Sequence, residues 1–406
     1  MRVNLLALLA LTGLFSGCAE KDRSAELVGK WLFSLDLGGT ILPFNAEMIL
    51  EEDAVQFYAI NGEERIRADE FEVIQDSFFV RLPVFNTALI GKVTEDGIIG
   101  NYRDYSRSGE YLIPFEATRS FENRFDDLSE PTIEVTGKWK VLFSPGSDSE
   151  YEAIGQFQQL EARATGTFLT TTGDYRYLEG NVSGDSLFLS CFDGSHAFLF
   201  KARISGDSIY GNFWSGRHWQ ENWTGNRDEA FDLPDPETLT FLKPGYESLD
   251  FSFQNLKGET VSISDSAYQD KVVIVQIMGS WCPNCKDETA YLVSLHEKFK
   301  DQGLEVIALA FEKSDNNATN VKSLERLVDH FNVPYKVLLA GTASKKEAAA
   351  KLPMLNHVLS FPTSIYIDRT GKVRKIHTGF SGPGTGEYYQ EFVEETDRFV
   401  TQLLIE

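Results

Sequence analysis

The chain has 406 residues, which at roughly 150 residues per domain predicts two or three domains. Its 61 acidic residues outnumber its 38 lysines and arginines, and a net charge of −23 repels phosphate backbones, so we expect no nucleic-acid partner. Aromatic residues at 13% and 32 glycines favour β-structure with tight turns, while four cysteines are too few to crosslink a chain of this length.

The N-terminus has the pattern of a cleaved signal that ends at a cysteine. A basic residue precedes an apolar stretch, residues 3–15, that is too short to span a bilayer, and two small residues stand directly before Cys18. The pattern resembles a bacterial lipoprotein signal; the alternative is an ordinary secretory signal with an incidental cysteine. We expect loss of residues 1–17, a lipid on Cys18, and a polar tether at residues 18–24.

The middle of the chain is a duplication of a unit of about 95 residues. Residues 25–120 and 132–228 contain the same short segments in the same order, at steady offsets. The matching segments are Gly29-Lys30-Trp31 with Gly137-Lys138-Trp139, Asn61-Gly62 with Thr172-Gly173, Asp76-Ser77 with Asp185-Ser186, Gly100-Asn101 with Gly211-Asn212, and Arg119 with Arg227.

Each unit alternates apolar and polar residues in short runs that end at turn pairs such as Asn61-Gly62 and Ser183-Gly184. This pattern predicts antiparallel β-barrels or β-sandwiches. Whether the two units form separate bodies or one joint sheet stays open at this stage. The acidic segment at residues 120–132 is the expected linker between them.

Two groups in the second unit admit both a functional and a structural interpretation. Aromatic residues at 213–223 can stack on a sugar or a peptide, but such residues more often fill a small β-core. The segment from Cys191 to His196 can form a nucleophilic pair, but a tight hairpin with a buried free cysteine is the commoner arrangement. We favour the structural interpretation of both. The aromatic residues are Phe213, Trp214, Trp219 and Trp223.

The remainder of the chain changes character after a proline-containing linker at residues 229–244. Residues 245–406 predict an α/β domain that contains a Cys-x-x-Cys segment at the start of a helix. The predicted elements are a buried strand at 272–277, a helix that starts at the Cys-x-x-Cys segment and continues through Phe299, a buried strand at 304–311, a helix at about 319–331, an X-Pro-Thr strand at 361–368, a strand at 373–377 and a helix at about 387–404.

This order and its motifs resemble the TlpA/ResA-like thiol–disulfide oxidoreductases, which are membrane-tethered thioredoxin relatives. Residues 250–262 match the family's added hairpin, residues 281–288 its Trp-Cys-x-x-Cys-x-x-Glu motif, and residues 361–363 its cis-proline loop. The segment 311–360 fits the family's helical insertion. The fold class is therefore expected to be multidomain, with duplicated antiparallel β-units followed by an α/β thioredoxin fold.

The resemblance assigns a role to each residue of the site. Cys282 would be the nucleophile, because a helix N-terminus stabilises a thiolate, and Cys285 would resolve the mixed disulfide one turn later. Pro362 should be cis and place the backbone beside the sulfurs, where it can pair with an extended substrate. The substrate-binding residues are then Trp281, Phe361 and Thr363.

Proton transfer is expected to differ from that in ordinary thioredoxin. Thioredoxin has a buried aspartate six residues before the first cysteine, where this chain has Gln276, which cannot take up a proton. The nearest ionisable group is Glu288, one turn after Cys285. We expect it to be partly buried, with a raised pKa, and to assist deprotonation of Cys285. The alternative is a solvated surface acid.

We expect neither a metal nor a cofactor. A zinc site needs two more ligands beside the Cys-x-x-Cys segment, and the sequence has no second such segment and no histidine pair. Copper delivery, in which His377 would join the two cysteines, is disfavoured because copper-delivering relatives space their cysteines by three residues. A peroxiredoxin is disfavoured because its characteristic cysteine context is absent.

The resulting hypothesis is an enzyme: an extracytoplasmic protein-disulfide reductase, or exchange enzyme, anchored in the bacterial cell envelope. Its anchor would lie on the periplasmic face or the outer-membrane surface, and its partners would be envelope proteins that carry disulfides or thiols. The family implies a membrane electron relay protein as the reductant. The alternative is a ligand- or envelope-binding lipoprotein in which the duplicated β-units carry the function.

Overall fold

The computed structural model describes residues 23–107, 110–119, 123–126 and 128–406, so Cys18 and the predicted signal lie outside the described residues. The first β-unit is one antiparallel sheet of nine strands, in the order β4-β3-β2-β1-β9-β8-β7-β6-β5, which curls around its own core. Its strands are β1 (Gly29–Asp36), β2 (Ile41–Glu51), β3 (Ala54–Asn61), β4 (Glu64–Arg67), β5 (Glu70–Ile74), β6 (Ser77–Arg81), β7 (Thr87–Val93), β8 (Ile98–Asp104) and β9 (Tyr111–Arg119).

The second β-unit is a closed barrel of eight strands, because β11 pairs with β12 as well as with β10. A two-residue strand, β13, extends the edge of β12. Its strands are β10 (Gly137–Phe143), β11 (Tyr151–Leu160), β12 (Arg163–Thr170), β13 (Gly173–Asp174), β14 (Leu178–Ser183), β15 (Ser186–Phe192), β16 (Ala197–Ser205), β17 (Ser208–Ser215) and β18 (Trp219–Arg227). The predicted antiparallel β-units are confirmed, and they form two separate sheets.

The duplication extends to single hydrogen bonds. In the first unit the Trp31 indole donates to the Leu27 carbonyl at 2.8 Å and lies 4.9 Å beneath the Arg119 guanidinium. In the second unit Trp139 and Arg227 repeat the arrangement, with an indole bond of 2.9 Å and a stacking distance of 4.4 Å. Each tryptophan thus closes its unit where the first and last strands pair.

The C-terminal domain is an α/β fold whose central strand β21 is buried along its whole length. The sheet order is β20-β19-β23-β22-β21-β24-β25, with β21, β22 and β23 parallel. Its elements are β19 (Ser252–Asn255), β20 (Thr260–Ser262), β21 (Val272–Met278), α2 (Pro283–Phe299), β22 (Leu304–Glu312), α3 (Asn317–Phe331), β23 (Lys336–Thr342), α4 (Lys345–Lys351), β24 (Thr363–Ile367), β25 (Val373–Thr378) and α5 (Glu387–Ile405). None of the helices in the described part of the chain is long and apolar enough to span a membrane.

The segment 311–360, expected to be a helical insertion, also contains strand β23. Its apolar run, residues 337–340, adds to the sheet beside β22, so the prediction of helices alone was incomplete. The linker at 229–244 contains a short helix, α1 (Pro236–Leu239), that packs against β25. The linker therefore lies along the C-terminal domain.

The three bodies pack against one another. Phe44 of the first unit stacks on Phe192 of the second at 4.3 Å, and the Asn61 side chain exchanges two hydrogen bonds with the Phe192 backbone. Val84 and Phe85, from the turn between β6 and β7, are part of the hydrophobic core of the C-terminal domain. The first unit thus contacts both other bodies.

A buried arginine joins all three bodies. Arg176, on the loop after β13, is 3% exposed and pairs with Glu64 of the first unit, Asp193 of its own barrel and Asp287 of α2. Burial alone would lower the pKa of Arg176, but the surrounding carboxylates raise it above its ordinary value. The guanidinium therefore stays charged and compensates acids from three domains.

Replacing Arg176 with alanine should leave these buried carboxylates uncompensated. We expect the free energy of unfolding to fall by about 3–5 kcal/mol, measured by urea denaturation at pH 7. Arg203→Ala is the matched control, since that arginine is 76% exposed and pairs with Asp185 on the barrel surface. If both substitutions lowered the free energy of unfolding by the same small amount, the role of Arg176 would be contradicted.

Candidate active site

Cys282 caps the N-terminus of α2, directly after the turn that follows β21. Its sulfur accepts a hydrogen bond from the Cys285 backbone N–H at 3.3 Å, and its thiol donates to the Phe361 carbonyl at 3.3 Å. The free N–H groups of a helix N-terminus favour negative charge at this position. The geometry thus suits Cys282 as the attacking thiolate.

Cys285 lies one turn further along α2 and has no exposed surface. Burial raises the pKa of Cys285 well above its ordinary value, and the adjacent Cys282 sulfur raises it further. Both cysteines are free thiols, so the structure shows the dithiol form. A buried thiol with a raised pKa stays protonated until a base takes up its proton, as a resolving cysteine must.

The Phe361–Pro362 peptide bond is cis, as predicted. The Phe361 carbonyl faces Cys282, whereas the Pro362 carbonyl accepts the Gly379 N–H at 2.9 Å. The side chain of Thr363 is fully buried, and its hydroxyl donates to the Ser360 carbonyl at 2.9 Å. Phe361 is therefore placed for substrate contact, whereas the Thr363 side chain is buried and bonded within the loop.

Glu288 is 1% exposed, so the alternative of a solvated surface acid is wrong. Its carboxylate accepts hydrogen bonds from the Gln276 amide and the Ser364 hydroxyl, both at 2.9 Å. Burial raises the pKa of Glu288 to about 7, although the two hydrogen bonds act in the opposite direction. Gln276 also lies 3.4 Å from the Cys285 carbonyl and so holds the acid beside the resolving cysteine.

Trp281 forms one side of the site. Its indole donates to the Phe311 carbonyl at 2.9 Å, and its ring meets the Phe361 ring edge to face at 5.7 Å. The Lys313 ammonium lies 4.6 Å from the centre of the indole ring. Trp281 and Phe361 thus flank Cys282 with two fixed aromatic rings.

An open chamber of about 690 Å³ lies between the cysteine pair and the mouth of the second barrel. On one side it is lined by Trp281, Cys282 and Phe361, with Lys313 beside them. On the other side it is lined by barrel residues from the ends of β12 and β16 to β18. The barrel residues include the segment 170–175, Phe198, Phe213, Trp219 and Glu221.

The predicted aromatic core of the second unit is confirmed for Phe213 and Trp223 and wrong for Trp219, while Trp214 is partly buried and packs against the hydrophobic core of the first unit. Phe213 and Trp223 are buried in the barrel. Trp219 lies on the same strand face as Trp223 but is 47% exposed, because it stands at the first residue of β18, at the barrel mouth. There its indole donates to Glu221 at 3.0 Å and its ring lines the chamber.

The end of β12, β13 and the following loop cover one side of the cysteine pair; we call residues 170–176 the cover hairpin. The Thr172 carbonyl accepts from the Ser360 hydroxyl at 2.8 Å, and the Asp174 carboxylate accepts from the Gly382 N–H at 2.6 Å. A side chain at Gly173 would collide with that of Asn284. Sequence reasoning missed these contacts because they join segments more than 100 residues apart.

Two other predicted features lie outside the reaction. Cys191 is fully buried, and Asp193 and His196 bond to each other across the turn that follows, which confirms a hairpin with a buried cysteine. His377 is largely buried on β25 against Phe392, and burial lowers the pKa of His377 to about 4. Among the described residues, no group of three or more His, Cys, Asp or Glu side chains could hold a metal.

A cysteine pair at a helix N-terminus, a facing cis-proline loop and a central parallel sheet define a thioredoxin-like redox domain. Residues 244–376 match the model of the AhpC/TSA family. The thiol–disulfide oxidoreductase ResA of Halalkalibacterium halodurans is 26% identical over 156 residues, which is 38% of this chain and 78% of that protein. The thioredoxin-like protein YneN of Bacillus subtilis is 26% identical over 138 residues, or 34% of this chain and 73% of YneN.

Solved structures that match part of this chain include a thiol:disulfide interchange protein of Chlorobium tepidum TLS. It is 19% identical, with a TM-score of 0.30, over 39% of this chain and 95% of that one. A putative protein disulfide isomerase of Bacteroides thetaiotaomicron is 20% identical, with a TM-score of 0.31, over 41% of this chain and 93% of that one. The C-terminal domain is thus similar to the AhpC/TSA family model and to curated thiol–disulfide oxidoreductases, and a cysteine pair in a thioredoxin-like domain is consistent with an oxidoreductase.

The raised pKa of Glu288 predicts how the stability of the fold depends on pH. Between its ordinary pKa of 4.5 and about 7 the folded protein holds a proton that the unfolded chain has released, so stability falls as the pH rises through this window. Glu288→Gln keeps the shape without the charge and should be more stable than wild type at pH 8, by on the order of 3 kcal/mol.

The same variant should slow disulfide exchange at pH 7 by about tenfold or more, because Cys285 loses its nearby base. Urea denaturation at pH 4 and pH 8 and stopped-flow exchange kinetics measure the two effects, and the stability gain should vanish at pH 4. A Glu288→Gln protein with wild-type exchange rates at every pH would exclude the role of this acid.

Proposed function

We propose that this protein is a membrane-anchored, extracytoplasmic protein-disulfide reductase that acts through Cys282 and Cys285. The observation that carries the proposal is the placement of the Cys282 sulfur between the start of α2 and the Phe361 carbonyl of the cis-proline loop. A backbone carbonyl beside the attacking sulfur can hold an extended substrate in line with it. The curated relatives named thiol–disulfide oxidoreductases support the same chemistry.

Reduction proceeds in two exchanges. The Cys282 thiolate attacks one sulfur of the substrate disulfide, that S–S bond breaks, and the departing substrate sulfur takes up a proton. Cys285 then passes its proton to Glu288 and attacks the Cys282 sulfur, so that the substrate leaves with both sulfurs reduced and the protein holds the Cys282–Cys285 disulfide. A dithiol donor restores the two thiols; a membrane electron relay protein would fill this role in the cell.

The proposed location follows from the sequence around Cys18. A lipid on that residue, with the tether at 18–24, would hold the folded domains at the surface of a membrane of the bacterial cell envelope. Envelope proteins that carry disulfides or thiols would then be the substrates. The acidic charge of −23 is compatible with protein partners and disfavours nucleic acid.

The rival function is ligand binding by the β-units. The packed interior of the second barrel argues against a ligand site inside it. Its interior is filled by aromatic side chains, among them Phe168, which lies 4.7 Å from Phe200 and 5.1 Å from Trp223. The open space lies instead at the barrel mouth, where Cys282 forms part of the wall. A ligand in that space would touch Cys282, which supports one joint function over two separate ones.

The role of the two cysteines is tested by substitution in an insulin-reduction assay with dithiothreitol. Cys282→Ser should abolish turnover, since the serine hydroxyl is not a nucleophile toward disulfides, and Cys285→Ser should accumulate mixed disulfides that mass spectrometry can identify. Cys191→Ser is the matched control, because that cysteine is fully buried in the barrel, and it should keep wild-type turnover. Full activity of Cys282→Ser would overturn the proposal.

The anchor is tested in a bacterial host that processes lipoproteins. The full chain should sediment with membranes and carry a lipid on its N-terminal cysteine, detected by mass spectrometry, whereas Cys18→Ala should be released in soluble form. A Cys18→Ala protein that stays in the membrane fraction, or a mature N-terminus at another residue, would contradict the anchor without affecting the redox chemistry.

A further inference from the structure

The cover hairpin packs beside Cys282. It bonds to the loop before Pro362 through Thr172, to the loop after β25 through Asp174, and it packs on Asn284, directly beside the cysteine pair. The salt bridge from Arg176 to Asp287 fixes its far end to α2. The surface next to the cis-proline loop is therefore covered by the protein's own barrel.

The chamber is an open approach to Cys282, and its size bears on what can enter. A space of about 690 Å³ holds a few side chains and lies within the range typical of small-ligand pockets. A disulfide on the rigid face of a folded protein would meet the barrel before it met the sulfur. A disulfide on an extended segment can pass between the barrel mouth and Trp281.

The two walls of the chamber differ in chemistry. On the barrel side, Trp219 and Phe213 present aromatic rings, and Glu221 beside them is already bonded to Trp219, Tyr151 and Ser144. Aromatic rings in this position favour an aromatic or large apolar side chain.

On the cysteine side, Lys313 is the ionisable lining residue without a hydrogen-bond or ion-pair partner among the described residues. Arg107 is paired with Asp104 at 3.0 Å, and Asp174 is held by the Gly382 N–H. The ammonium of Lys313 lies over Trp281. Burial and the nearby Arg107 lower the pKa of Lys313, while Asp104, Cys282 and Glu312 act in the opposite direction. A carboxylate on the substrate, next to its reactive sulfur, would form an ion pair with the Lys313 ammonium.

Building on the reductase function proposed above, we propose that the second barrel selects the substrate. The chamber takes an unfolded, extended segment of a protein whose cysteine has an acidic neighbour toward Lys313 and an aromatic neighbour toward Trp219. The chemistry is the exchange already described: Cys282 attacks the cysteine sulfur of the segment, and the other sulfur leaves as a thiol.

The test uses unstructured peptides whose single cysteine is joined in a disulfide to thionitrobenzoate, which absorbs at visible wavelengths when released. The fully reduced protein, freed of dithiothreitol, is mixed with a peptide that has Glu and Phe beside the cysteine, with one that has Lys for Glu, and with one that has Gly for Phe. Against wild type we expect the Glu/Phe peptide to react about three- to tenfold faster than either of the other two.

Two variants and a control separate the contributions. In Lys313→Gln, the Glu/Phe peptide and the peptide with Lys for Glu should react at nearly equal rates. In Trp219→Ala, the Glu/Phe peptide and the peptide with Gly for Phe should react at nearly equal rates. Tyr210→Ala removes an aromatic side chain that is 56% exposed on β17, away from the chamber, and should leave both ratios as in wild type. A variant's fold is checked by its circular dichroism, and its dithiol by titration of free thiols.

The outcomes distinguish this inference from the function on which it rests. If the reduced wild type releases thionitrobenzoate from no peptide, the reductase function itself fails. If all three peptides react at equal rates, selection by the chamber is wrong while the reductase function stands. If the glutathione–thionitrobenzoate disulfide reacts faster than the Glu/Phe peptide, the chamber serves small disulfides and the inference is overturned.

Discussion

The arrangement depends on one buried guanidinium. Arg176 compensates carboxylates from the first β-unit, the second β-unit and helix α2, so the barrel cannot move off the cysteine pair without exposing or uncoupling these charges. Removing one partner from a buried charge cluster is costly because the others lose their compensation in a poorly polarisable interior. The same ion pairs that hold three bodies together thus place the barrel mouth opposite Cys282.

This placement gives a duplicated β-domain a part in the redox site. The barrel interior is packed with aromatic rings and leaves its mouth as the accessible concave surface. Because the chamber wall includes Cys282, Trp281 and Phe361 on one side and Trp219 and Phe213 on the other, recognition and exchange occur in one space. The buried pair Gln276 and Glu288 lies beside Cys285, where a proton can be held away from water.

Much of the fold and part of the site could be predicted from local patterns. The buried strand before the cysteines and the helix after them follow from short-range sequence signals, whereas the cis proline was expected from the family resemblance and the burial of Glu288 from its place one turn after Cys285. The structure confirms all four. The duplication was visible because Trp31 and Trp139 occupy equivalent positions. Strand β23 was missed because a short apolar run between two helices carries no periodicity that separates a strand from a helix.

The chamber could not be predicted, because it is made by contacts between residues far apart in the chain. Trp219 was expected in the core on the basis of its spacing from Trp223, but the spacing does not show that β18 begins at the open end of a barrel. Likewise, nothing in the sequence near Gly173 indicates that its backbone packs against Asn284. Such contacts follow from domain packing, which sequence periodicity does not encode.

The central claim is that Cys282 is the reactive thiol and is reached through the chamber, while Cys285 and Cys191 are enclosed. The most direct measurement is the rate at which iodoacetamide alkylates each thiol of the native, reduced protein at pH 7, followed by peptide mass spectrometry. The account predicts rapid, selective modification of Cys282, with Cys285 and Cys191 protected until the protein is unfolded. Modification of Cys285 or Cys191 as fast as that of Cys282 would contradict it.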